Sequence, residues 1–208
     1  MKKLLFTAVA VFAFGFVNAQ ESSAEGFGKG SMFLSGTVSF GTNDLKSLDA
    51  KETSFVVAPK FGYFVSENIA VGVGLGFGNS QIKANSNNQK IENKTTSFGA
   101  FGRYYLKTSK FAPFAELNVN YANTNTEYVR FLGQVAPIGV NSPDIITFSA
   151  NVAPGFNYFI SDNFALETSV GIIGYSNSKM DVSGAKADSG FNIGLDLTNI
   201  NFGLVYKF

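Results

Sequence analysis

The sequence predicts an all-β fold, an eight-stranded antiparallel up-and-down β-barrel that crosses a membrane on its strands. Three observations predict it. Apolar and polar residues alternate with a period of two in eight separate segments, the mark of strands with one apolar face. Each apolar face runs about nine to eleven residues, the length a tilted strand needs to cross a bilayer. The connections between segments alternate between short and long, as they do when all turns of one kind lie on one side of a membrane.

The chain opens "MKKLLFTAVAVFAFGFVNAQ", with Lys2 and Lys3, an apolar run from Leu4 to Val17, and the small-residue ending Val17-Asn18-Ala19 before Gln20. This pattern predicts a secretory signal peptide over residues 1–19, cleaved between Ala19 and Gln20. The apolar run falls short of the roughly 20 residues of a spanning helix. Residues 20–30 then form a short segment before the barrel, which occupies 31–208.

The first strand alternates Met32, Leu34, Val38 and Phe40 with Phe33, Ser35, Thr37 and Ser39. In the second, Phe55, Val57, Pro59, Phe61, Tyr63 and Val65 share one face, and Ala58, Lys60 and Gly62 the other. The third, "IAVGVGLGFG", sets Ile69, Val71, Val73, Leu75 and Phe77 against Ala70 and glycines alone. Its glycines recur every second residue and no apolar helical face follows, so the stretch lacks the spacing and context of a phosphate-binding loop. The fourth puts Phe98, Ala100, Tyr104 and Leu106 opposite Ser97, Gly99, Phe101, Arg103 and Tyr105. The fifth puts Pro113, Ala115, Leu117, Val119 and Tyr121 opposite Phe114, Glu116, Asn118 and Asn120. In the sixth, Phe148 to Tyr158 alternate with Ser149, Asn151 and Asn157; in the seventh, Phe164, Leu166, Val170 and Ile172 alternate with Ala165, Glu167, Ser169 and Gly171. The eighth ends the sequence, with Ile200, Phe202, Leu204, Tyr206 and Phe208 on its apolar face.

Short turns are expected at 66–68, 108–110 and 161–163, and long polar loops at about 42–53, 79–94, 123–145 and 176–190. A weak repeat, "APKFGYFVSENIA" (Ala58–Ala70) and "APGFNYFISDNFA" (Ala153–Ala165), suggests two related four-strand halves. The strand prolines would each remove a ladder hydrogen bond, so they mark bulges or distortions.

Composition excludes several functions. The chain is 45% hydrophobic and only 15% charged, where a soluble domain carries about 25% charged residues. A net charge of +1 without clustered Lys and Arg argues against a nucleic-acid partner. Zero cysteine removes disulfides and thiol chemistry, and zero histidine removes the commonest general base and metal ligand. Neither catalytic residues nor a metal or cofactor site are expected.

The sequence resembles the small outer-membrane β-barrel proteins of the OmpA/OmpX-like kind over essentially all of the chain after the signal peptide. The sharpest match is "NFGLVYKF", where Asn201, Gly203, Tyr206 and Phe208 look like the final-strand signal read by the barrel-assembly machinery. The resemblance implies a Gram-negative outer membrane, contact with its lipid and lipopolysaccharide, periplasmic termini and extracellular long loops. The family's peptidoglycan-binding domain is not expected after the barrel, and no wall-anchoring role is expected with it.

Four ionisable residues fall on the inward face: Lys60, Arg103, Glu116 and Glu167. On the lipid face a charge would cost about 2–4 kcal/mol at mid-membrane, which supports this facing. Arg103 and Glu116 lie on strands joined by a short turn, close enough to pair diagonally. The four form either a structural plug of the lumen or a gate in a narrow conduit. Bare glycine positions leave room for Phe101, Arg103, Tyr105 and Phe114 inside. The third long loop mixes Tyr128, Arg130, Phe131 and Leu132 into polar sequence. These residues either contact a partner or extend the flanking strands above the membrane. The expected role is structural, adhesive or surface-interacting. The alternatives are a small porin-like channel or apolar carrier, and an accessory subunit of a surface-secretion machine. Outer-membrane barrel enzymes rely on a histidine that this chain lacks.

Overall fold

The computed structural model describes residues 26–84, 90–130, 138–194 and 200–208. The predicted signal segment with Ala19 and Gln20 lies outside the described residues, as do Phe131 and Leu132. The strands are β1 (Met32–Leu45), β2 (Ala50–Phe64), β3 (Ile69–Ala84), β4 (Lys90–Tyr105), β5 (Phe111–Arg130), β6 (Ile138–Asn141), β7 (Ile145–Phe159), β8 (Phe164–Val170), β9 (Ile173–Met180), β10 (Asp188–Ile193) and β11 (Ile200–Lys207). They form a closed eight-strand antiparallel barrel. Short β6 pairs with the end of β5, β8 and β9 follow one another along the seventh stave, and β10 and β11 along the eighth. Closure comes from β1 on β11, pairing Phe33 with Lys207 through Thr37 with Gly203.

Alternation decides which side of the wall each residue takes. Phe33, Ala70, Phe101, Tyr105, Phe114, Phe159, Ala165 and Val205 are buried in the lumen, while Leu34, Val71, Val73, Leu75, Tyr104, Leu117 and Leu204 are exposed on the outer surface. That outer surface is bounded by aromatics. Toward the end away from the termini, the outward face of each of the eight staves carries one aromatic: Phe40, Phe55, Phe77, Phe98, Tyr121, Phe148, Tyr175 or Phe191. Toward the termini stand Tyr63, Tyr104, Phe111, Tyr158, Phe164 and Tyr206. Two aromatic girdles around an apolar band are the boundary pattern of a membrane-spanning barrel.

Small and large residues are matched across the ladders. Phe33 is paired with Gly62, Phe101 with Gly72, and Phe114 with Gly155. Each inward ring lies where a Cβ on its partner glycine would stand. At Gly72 that Cβ would also meet the Phe61 carbonyl oxygen, which the backbone cannot move aside.

The sequence repeat is a turn motif. In the first copy the Ser66 hydroxyl accepts from the Ile69 amide at 3.1 Å, and Asn68 donates its side-chain amide to the Tyr105 carbonyl at 2.9 Å. In the second, Ser161 accepts from Phe164 at 3.1 Å and Asn163 donates to the Lys207 carbonyl at 2.8 Å. Serine closes each turn on itself, and asparagine ties it to the neighbouring hairpin.

Two expectations need correction. The long connections are mostly strand: β1 and β2 run on to Leu45 and Ala50, and β5 runs 20 residues to Arg130. Polar ladders such as Thr95 with Thr124, 2.9 Å apart, hold these extensions. They carry no apolar stripe, so periodicity of hydrophobic residues could not reveal them. The seventh strand is also not continuous. Its register on β7 shifts by one residue between Gly155–Ser169 and Val152–Ile173, making a β-bulge in which Val170, Gly171 and Ile172 stand opposite Ala153 and Pro154. Beyond the bulge the facing reverses, so Gly174 points inward and Tyr175 outward. From Gly26 onward the segment before β1 turns into the mouth of the barrel. Phe27 donates its amide to the Thr108 carbonyl at 2.9 Å and buries its ring in the lumen. Gly26 has a φ of 114° and leaves no room for a Cβ against Thr108, so only glycine fits.

Candidate functional site

The lumen near the termini is filled by two stacked layers. The outermost is aromatic: the Phe27 ring lies 4.7 Å from Phe64, 4.9 Å from Phe159, 5.4 Å from Tyr105 and 5.5 Å from Phe33. Sequence periodicity missed Phe27 because it precedes any strand. The only local signal is an aromatic between two glycines, Gly26 and Gly28.

Above this cork the four inward charges meet in one chain. Lys60 Nζ donates to Glu116 Oε1 at 2.7 Å, and Arg103 Nε donates to Glu116 Oε2 at 2.6 Å. The other end of the Arg103 guanidinium grips Glu167 with two bonds, Nη1 to Oε2 at 2.7 Å and Nη2 to Oε1 at 2.8 Å. Such a fork-to-fork geometry is the strongest form a carboxylate–guanidinium pair takes. Arg103 and Glu116 are directly opposite in the ladder, not diagonal. The turn after Tyr105 sets this register, and its length alone did not reveal it.

Residues not singled out from the sequence as partners complete the network. Asn157 donates to Glu167 Oε2 at 2.9 Å and accepts from the Tyr105 hydroxyl at 3.0 Å, and Asn118 donates to Glu116 Oε1 at 3.3 Å. The Arg103 guanidinium carbon lies 4.3 Å from the Phe114 ring centroid, 5.1 Å from Phe101 and 5.4 Å from Phe33. Arg103, Glu116, Glu167 and Asn157 are all buried. Lys60 is the partial exception, with 30% of its side chain exposed. Among the described residues, Ser35 Oγ alone is a buried side-chain polar atom without a partner. Toward the far end, inward positions turn small and polar, with Gly74, Gly76, Ser97, Asn120 and Asn151 partly exposed. The arrangement can seal the lumen. Among the described residues no group of His, Cys, Asp or Glu could hold a metal ion.

The remaining predicted residues lie apart. Tyr128 stands exposed near the end of β5, and Arg130 ends that strand with its side chain outside the described set. On β11, Gly203 packs its backbone against Gly36 and Thr37, Asn201 is exposed, and Tyr206 contacts the rings of Phe164 and Phe208, each at 4.9 Å.

Solved structures share this architecture. The outer membrane protein OprG from Pseudomonas aeruginosa aligns with a TM-score of 0.52 at 14% identity, covering 89% of this chain and 99% of OprG. A major outer membrane protein from Thermus thermophilus aligns with a TM-score of 0.50 at 12% identity, covering 86% and 99% of the two chains. At such identities the likeness shows the fold alone. No curated protein matches the sequence. The family profile described as outer membrane protein beta-barrel domain matches residues 6–208, nearly the whole chain, and the protein therefore belongs to that outer-membrane β-barrel family.

Proposed function

We propose that this protein is a non-enzymatic, non-conducting outer-membrane barrel with a structural or adhesive role, whose working surface is the set of long hairpins carried above the membrane. In this reading the termini and short turns face the periplasm and the hairpins face outward. The observation that carries it is the double seal. A hydrated ion would have to pass both the Lys60–Glu116–Arg103–Glu167 chain and the aromatic cork around Phe27. The strands then continue well past the outer aromatic girdle, which raises Tyr128 and its neighbours clear of the lipid. Planar-bilayer recordings of the purified barrel should show no discrete openings, and Glu116→Ala should be equally silent because the cork remains. Openings in the wild type that change in Glu116→Ala would instead make the inward charges a gate.

One observation favours a second reading, an apolar carrier with a sideways exit. Among the described residues no ladder joins Val38–Leu45 of β1 to β10 or to Ile200–Phe202 of β11. The apolar side chains flanking this seam, Val38, Phe40, Phe191, Ile193 and Phe202, are 67–73% exposed. The lumen behind the seam is lined by small polar groups, which places this reading second.

The Tyr206 and Phe208 pair at the end of β11 supports the assembly-signal reading. Deleting Phe208 should lower the amount of folded protein in outer-membrane fractions while secretion across the inner membrane continues, as read by fractionation and immunoblotting. Unchanged assembly would remove that role from Phe208.

A further inference from the structure

On the outer surface, beyond the far aromatic girdle, three lysines stand side by side on neighbouring strands. Lys51 of β2 is paired with Lys83 of β3, and Lys83 with Lys90 of β4. All three share the outward facing of Phe55, Phe77 and Phe98 on their own strands. Adjacent strands are about 4.8 Å apart, so each lysine meets a like charge directly opposite, an arrangement that is destabilising unless something neutralises it.

The nearby carboxylates do this for only part of the row. Glu92 is held by Lys90 at 2.7 Å and by Lys94 at 3.5 Å, and Glu127 approaches Lys94 at 3.8 Å. The hydrogen bonds from Lys90 and Asn79 hold the Glu92 carboxyl down at about 2, so it stays charged and committed to these partners. Asp44 is opposite Lys51 in the ladder but makes no ion pair with it. Lys51 and Lys83 are both exposed and have no ion pair among the described residues.

Height along the barrel sets which anions the row meets. Lys51 lies four residues past Phe55, about 13 Å along the strand and nearer 10 Å along the barrel axis once the strand is tilted. That level is just above the acyl chains, where the phosphates of membrane headgroups lie. We propose that Lys51 and Lys83, extended by Lys90, form a binding site on the outer wall for the phosphate of a phosphorylated glycolipid of the outer leaflet. The two ammonium groups clasp one phosphate from neighbouring strands while the acyl chains run down the apolar wall below. The site anchors the lipid next to the hairpins and removes the repulsion along the row. The choice of leaflet rests on the outward orientation proposed above.

The test is lipid binding by the full refolded barrel in nanodiscs of phosphatidylcholine, titrated with phosphorylated lipid A and separately with its dephosphorylated form. The double variant Lys51→Gln/Lys83→Gln should bind phosphorylated lipid A about 30-fold more weakly than wild type, each basic residue near an anionic membrane surface contributing about a factor of five. Lys51→Arg/Lys83→Arg should retain binding, and the dephosphorylated lipid should bind all three proteins equally weakly. Undiminished binding by the double variant, or equal binding of the two lipids by wild type, overturns the site. Complete displacement by millimolar inorganic phosphate overturns the assignment to a lipid headgroup. Orientation is read independently: the chain has no cysteine, so a single Ser183→Cys in the last hairpin should react with a membrane-impermeant maleimide on whole cells. Protection of that cysteine would overturn the outer-leaflet assignment and leave the nanodisc result to judge the phosphate site.

Discussion

Arg103→Leu should lower the unfolding free energy of the barrel by about 3–5 kcal/mol, the loss typical when one partner of a buried ion pair is removed. Arg103 is 2% exposed and is the shared partner of Glu116 and Glu167. Without it, Glu116 keeps Lys60 as a cation, while Glu167 is left with only the Asn157 amide. A stranded carboxylate must either stay charged in a water-poor lumen or take up a proton, and both cost stability. Lys60→Gln should cost less, about 1 kcal/mol, because that side chain is partly exposed and solvent screens its pair. Removing both ends of the fork, in Arg103→Met/Glu167→Met, should recover most of the loss, since well-packed apolar groups replace such pairs with little penalty. The chain has no tryptophan, so urea unfolding is best followed by circular dichroism and by the heat-dependent gel shift of the folded barrel. An Arg103→Leu midpoint equal to wild type would mean that the network contributes nothing to stability.

Lipid makes half of this architecture legible in sequence. Every outward residue between the girdles must be apolar or small, so the facing of Lys60, Arg103, Glu116 and Glu167 could be read from parity alone. Their partners could not. Glu167 on β8 reaches Arg103 across the lumen from a strand 64 residues away, and no local pattern encodes that approach. The bulge at Val170, Gly171 and Ile172 is invisible for a related reason: a single extra residue inverts the facing, and strict alternation has no means of placing it. The polar hairpin extensions look like loops in the sequence because backbone ladders need no hydrophobic stripe. The prolines were more informative. The β2–β3 pairing is interrupted at Ala58 and Pro59, and the β7 pairing to the seventh stave at Ala153 and Pro154, where a missing amide predicts a break.

Phe27→Ala is expected to cost about 3 kcal/mol, the lower end of the range for truncating a buried phenylalanine, because the mouth of the barrel lets water fill part of the cavity. Its ring stacks on Phe64 and meets Phe159 edge-on, with Phe33 and Tyr105 beside it, so its removal unpacks a layer contributed by four separate strands and the N-terminal segment. Conductance should stay silent in this variant, since the charge network above still blocks the lumen. The two layers are not independent. Phe33 and Tyr105 touch both, with Phe33 5.5 Å from the Phe27 ring and 5.4 Å from the Arg103 guanidinium, and Tyr105 accepting from Arg103 Nη1 at 3.3 Å. Shared partners make losses non-additive, with interaction terms of about 0.5–3 kcal/mol. The double variant Phe27→Ala/Arg103→Leu should therefore differ from the sum of the single losses by at least about 0.5 kcal/mol in urea unfolding. It should also be the first form of the protein to show discrete channel openings, because only then is each seal breached. Additive losses with a silent bilayer would mean that two separate plugs share the lumen without supporting one another.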